Sequence, residues 1–79
     1  MPTIHRERGY RFFFWSNERN EPPHVHVESG ENYAKVWLVP EVRLARSVGF
    51  DTGEVRDLLA MVVQYREKFE AEWHGYFRT

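Results

Sequence analysis

His24-Val25-His26-Val27-Glu28, Ser29-Gly30-Glu31-Asn32 and Ala34-Lys35-Val36-Trp37-Leu38 read as two alternating runs about a glycine-bearing turn. Successive side chains of a strand point to opposite faces, so both runs are strand patterns, and the four residues between them have the chemistry of a tight hairpin. With Gly30-Glu31 as a two-residue turn, Ser29 pairs with Asn32, His26 falls opposite Lys35 and His24 opposite Trp37. A four-residue loop keeps that register; a three-residue loop breaks it. Val25, Val27, Ala34, Val36 and Leu38 then share one face, the expected core face. The two imidazoles share the other, about 7 Å apart at their backbones.

Toward the N-terminus, residues 3–16 read as a strand, with Gly9 the point at which it can break into a hairpin, because the aromatic run favours a strand and no helical period appears. Ser16 to Pro23 is a loop dense in turn formers, since two prolines cannot both feed a sheet ladder. Toward the C-terminus, Pro40 ends the second alternating run and Val42 to Val48 is a fourth, less regular strand candidate. Asp51 is an N-cap with Glu54 three residues on, a capping box, and Phe50 and Val55 occupy the positions of a hydrophobic staple. From there Val55, Leu58, Leu59, Val62, Tyr65, Phe69, Trp73 and Tyr76 form one apolar stripe on a 3.6-residue period, with Arg56, Asp57, Gln64, Lys68 and Ala71 opposite. The spacing predicts one long helix from about Thr52 to Trp73 or beyond. It would span roughly 35 Å against strands of about 17–20 Å, leaving its far end to overhang the sheet. The expected fold is α+β: a small antiparallel sheet of three to four strands packed on one long C-terminal helix, one domain over residues 1–79.

A chain of 79 residues has room for one core. The absence of cysteine excludes disulfides and Cys-ligated zinc and suits a reducing cytoplasm. No apolar stretch approaches transmembrane length and no signal peptide is read, so a soluble cytoplasmic protein is expected, with no membrane partner. A net charge of −1 argues against the broad basic field of a nucleic-acid-coating protein but leaves room for a local basic patch. Basic residues outnumber acidic ones seven to six in residues 1–50, and acidic ones lead six to four in residues 51–79, too slight a split to decide a partner.

Three readings of the His24/His26 face compete. In the first, both are ordinary solvent-facing strand residues, as is normal on the polar side of an antiparallel sheet. In the second, His24 and His26 exchange protons near neutral pH, Lys35 stabilises phosphoryl charge, and Trp37 or Tyr33 stacks on a base. The third is a metal site, for which His-x-His is a known spacing but two ligands are insufficient, so that His5, Glu21 or Glu28 must supply another. No cofactor is expected. Arg66 interrupts the apolar stripe, either snorkelling to water or ion-pairing with a partner. Phe12-Phe13-Phe14-Trp15 must send rings to both sheet faces; the surplus rings suit self-association, a protein partner or base stacking, in that order, and with Phe69, Trp73, Tyr76 and Phe77 at the helix's far end they form an expected partner interface. Pro2 could act as an N-terminal base as in small tautomerases, but those resemble strand-helix-strand units and here the helix comes last.

The chain resembles the DUF4160 family of small bacterial proteins. The likeness rests on Met1-Pro2-Thr3-Ile4, Tyr10-Arg11-Phe12 with Phe14, Asn17, Glu21-Pro22-Pro23-His24-Val25-His26-Val27, Ala34-Lys35-Val36-Trp37-Leu38, Gly49-Phe50, Trp73 and Phe77. It implies a bacterial cytoplasmic protein encoded beside another small domain, DUF2442, in a toxin-antitoxin-like pair, and it implies no established reaction. The expected function is therefore a partner-binding member of such a pair that acts on RNA through the His24/His26/Lys35 face. The alternatives are a non-enzymatic protein-binding or regulatory module and a metal-binding domain using His24 and His26. The expected partners are a second copy of the chain, a DUF2442-like cognate protein, or RNA.

Overall fold

The computed structural model describes residues 3–15 and 20–77; Pro2 and the Ser16 to Arg19 part of the expected loop lie outside the described residues. Five strands, β1 (Thr3–Glu7), β2 (Tyr10–Phe13), β3 (His24–Ser29), β4 (Asn32–Trp37) and β5 (Arg43–Val48), form one antiparallel sheet in the order of the chain. The α+β class holds, with more strands than the three to four expected. The first stretch divides at Arg8-Gly9, whose φ values of 50° and 86° give the left-handed turn that suits the twist of a hairpin. The irregular run after Pro40 supplies the outermost strand.

The central hairpin has the register read from its turn: Ser29 opposite Asn32, His26 opposite Lys35 and His24 opposite Trp37. Gly30 takes a φ of 60° and Glu31 does not take a positive one, the arrangement of a II′ turn with glycine at its first central position. Between β4 and β5 the register shifts at Lys35/Val36, so that Arg46 pairs with Lys35, Leu44 pairs with Val36, and Ala45 is an extra residue in a bulge.

The helix begins where Asp51 and Glu54 say it should. The Asp51 carboxylate accepts from the Glu54 N–H at 2.8 Å, and the Glu54 carboxylate accepts from the Asp51 N–H at 3.0 Å. It does not run unbroken to Trp73. Tyr65, at φ −106° and ψ 17°, separates α1 (Thr52–Gln64) from α2 (Arg66–Phe77). The reason lies in the spacing of the later anchors. Tyr65, Phe69, Trp73 and Phe77 step by four, and each such step over-rotates an α-helix by about 40°, so on one straight helix their line would turn away from that of Leu58, Met61 and Val62. The break lets α2 re-aim them. Arg66 holds the joint, its guanidinium donating to the carbonyls of Leu38 at 2.9 Å and Pro40 at 3.0 Å and pairing with Glu70 at 3.0 Å. The expected choice between snorkelling and a foreign ion pair thus resolves into a latch from the helix joint to the end of β4.

Both helices contribute to the core on one sheet face. Val25, Val27, Ala34, Val36 and Leu38 are fully buried with Leu58, Met61 and Val62 of α1, while Leu59 is only partly buried at its margin. Phe69, Trp73 and Phe77 of α2 join the same core around Phe12 and Phe14, Trp73 meeting Phe14 edge-on at 5.4 Å. Three of the four residues expected at a partner interface are therefore interior. Only Tyr76 stays at the surface, beside a shallow groove it shares with Ile4, Phe14 and Ala71.

Candidate functional site

The face away from the valines is laid out by register alone. Phe13 of β2 pairs with His26 of β3, His26 with Lys35 of β4, and Lys35 with Arg46 of β5, so one row of side chains crosses four strands. Tyr33 lies on one side of that row, opposite Glu28 and Val48; His24 and Trp37 lie on the other, with Arg43 opposite Trp37. Trp15, two residues beyond Phe13, folds back over the row.

The result is a concavity of about 710 Å³ lined by Trp15, His26, Tyr33, Lys35, Trp37, Ala45 and Arg46. Four of the five residues expected to carry chemistry meet here: His26, Lys35, Trp37 and Tyr33. His24 does not.

The two histidines are not solvent-facing. His26 is 1 % exposed and His24 0 %. Trp15 stacks on the His26 ring at 4.7 Å and 16°, with Tyr33 at 5.7 Å and Phe13 at 5.5 Å also near-parallel. The His26 Nδ1 lies 2.7 Å from the Tyr33 hydroxyl. His24 packs among Trp37, His26 and Trp73, the last at 4.9 Å, because α2 reaches round the end of the sheet. Its Nδ1 is 2.9 Å from the Pro22 carbonyl, and since a carbonyl only accepts, Nδ1 carries the hydrogen. The Pro-Pro segment thus sets the tautomer of the histidine that follows it.

Lys35 extends its ammonium over the Trp37 ring at 4.6 Å and donates to Glu21 at 2.6 Å. That hydrogen bond is the main reason the Glu21 carboxyl is held below its ordinary range. Arg11 lies over Phe13 at 4.4 Å and pairs with Glu28. Among the described residues Arg43 and Arg46 have no ion pair, so the β5 margin of the concavity carries the uncompensated positive charge. Stacking rings beside such cations suit a planar, anionic ligand.

A metal is poorly served. His5 lies apart from the concavity, packed on Tyr65 at 4.3 Å and Phe69 at 5.9 Å, while Glu28 is paired with Arg11 and Glu21 with Lys35. Among the described residues no group of three or more His, Asp or Glu side chains could hold an ion. Trp15 and Arg46 are the site residues that the sequence reading missed. Strand alternation could place neither, since Trp15 lies beyond the end of β2 and the bulge at Ala45 sets the facing of Arg46.

No curated protein and no solved structure matches the chain. A comparison with protein families matches residues 9–74, which include every strand but β1 and all of the concavity, to a domain of unknown function, DUF4160. With that match over most of its length, the chain belongs to the DUF4160 family.

Proposed function

We propose that the protein is an RNA-binding member of a bacterial toxin-antitoxin-like pair, holding a short single-stranded segment on its open sheet face. The pairing with a second small protein, DUF2442-like, and the cytoplasmic setting are what the family resemblance implies. The observation that carries the RNA reading is the concavity itself: Trp15, Tyr33 and Trp37 beside Lys35 and Arg46. Stacking rings take any base, and the cations follow the phosphates. A volume of about 710 Å³ lies in the range of pockets that hold small ligands, enough for a nucleotide or two.

Binding is favoured over cleavage by the burial of the imidazoles. Metal-free cleavage needs one group within reach of the 2′-hydroxyl and a second near the leaving oxygen, and His24 is closed off from the concavity by Trp37 and Trp73. His26 and Tyr33 serve here to position Trp15.

Fluorescence titration with short oligouridine and oligoadenosine tests the reading, because Trp15 and Trp37 line the site while Trp73 is 2 % exposed and reports as background. We expect saturable quenching that weakens with salt, and about a tenfold or greater loss of affinity in Trp37→Ala and in Arg46→Glu. The RNA should remain intact. Absence of quenching at millimolar oligonucleotide, or quenching indifferent to Arg46→Glu, would refute the proposal.

A further inference from the structure

The outer margin of the sheet next to this concavity has backbone to offer. Among the described residues β5 pairs only with β4, and five of its six residues are exposed, including Leu44 at 36 % and Val48 at 49 %. The register shows which of its backbone groups are already used. A two-residue turn makes Ser29 and Asn32 a hydrogen-bonded pair, so Tyr33, Lys35 and Trp37 direct their N–H and C=O groups toward β5. Their partners Val48, Arg46 and Arg43 answer inward. Ser47 and Leu44, opposite Ala34 and Val36, therefore turn theirs away from the sheet. An edge with free donors and acceptors is a template for one more strand.

Charge decides which strand. Arg43 and Arg46 both stand on the face of the concavity, the bulge at Ala45 having brought them to the same side, and among the described residues neither has an ion pair. Two copies of this edge in symmetric antiparallel pairing would crowd four guanidinium groups onto one face, which opposes self-association here. An incoming strand whose alternate side chains are carboxylates would instead meet both arginines, and its other side chains would cover Leu44. We infer that β5 is a docking edge for an acidic, extended segment of another protein, added antiparallel outside Leu44 and Ser47. The docking edge shares Arg46 with the concavity, but Ser47 points to the helix side and Arg43 does not line the concavity, so variants at these two positions separate this site from the RNA reading.

Hydrogen exchange of the intact protein tests it, using as probes a blocked peptide of alternating glutamate and valine, about six residues long as strands usually are, and its lysine-valine counterpart. The acidic peptide should slow exchange at the Leu44 and Ser47 amides and bind about tenfold more tightly than the basic one. Ser47→Pro removes an N–H that β4 does not use, so the variant should stay folded and bind RNA as before yet lose the peptide. Arg43→Glu should abolish the preference for the acidic peptide, a result that does not depend on the proline variant folding. No protection at millimolar acidic peptide, equal protection by the basic peptide, or protection that rises with protein concentration alone would each overturn the inference. RNA quenching that persists in any of those cases would leave the concavity's role standing.

Discussion

Gly49 shows how little latitude one residue can have. It takes a φ of 90° at the step from β5 to α1, and a Cβ there would run into the Asn32 side chain, itself fixed as the closing residue of the central hairpin. Gly30, at a φ of 60°, has open space around it. Gly49→Ala meets both backbone strain and a collision, whereas Gly30→Ala meets strain alone. We expect Gly49→Ala to cost about 2 kcal/mol or more and Gly30→Ala about 1 kcal/mol, read as the difference in urea midpoints at constant m. Equal losses at the two sites would remove the collision from the account. His24 makes a related point: its Nδ1–H, bonded to the Pro22 carbonyl, fixes the orientation of a ring that is fully buried.

Among the elements, the helices divide most clearly between what was readable and what was not. The start of α1 was legible because a cap is a local device, Asp51 and Glu54 satisfying each other's backbone within one turn. Asp51→Ala should cost about 1 kcal/mol by thermal unfolding, with the loss confined to stability and not to RNA affinity. The break at Tyr65 was not legible, since neither Gly nor Pro marks it and the stripe of apolar residues continues past it. It answers to the breadth of the sheet and to the carbonyls of Leu38 and Pro40, which lie 28 and 26 residues away along the chain from Arg66. Arg66→Met keeps the stem and removes the donors; it should lower stability by about 1–3 kcal/mol, with the largest increase in hydrogen exchange at the joint. A change no larger than that of a surface substitution would show the latch to be incidental. The strands repeat the pattern. Alternation and one glycine turn were enough for the register of β3 with β4, and hence for His26, Lys35, Trp37 and Tyr33 on one face. The covering of that face was not readable, because Trp15 reaches over His26 from beyond the end of β2, and α2 reaches His24 from the far end of the chain.

Across the whole molecule, one polar cluster ties the first strand to the helix joint. The Nε2–H of His5 donates to Glu7 at 3.0 Å, its Nδ1 accepts from Lys68 at 3.2 Å, and Tyr65 donates to Glu7 as well. The His5 and Tyr65 hydrogen bonds hold the Glu7 carboxyl below its ordinary value of 4.5, and the bond to Glu7 raises the Tyr65 hydroxyl. A carboxyl depressed on folding contributes stability above its unfolded pKa and loses it as pH falls through the folded one. The melting temperature of the wild type should therefore exceed that of Glu7→Gln near neutral pH, and the gap should close as the solution is acidified below 4.5. A gap that widens on acidification would contradict the assignment. The same cluster sets a timetable. β1 lies against Tyr65, Lys68 and Phe69, so it finds part of its permanent surroundings only in residues made later, His5 and Lys68 being 63 positions apart. On the ribosome β1 and β2 can close their hairpin early, but the layer beneath them stays open until α2 emerges, and a chain stalled before Phe69 would present Phe12 and Phe14 to whatever chaperone or neighbour stood nearby.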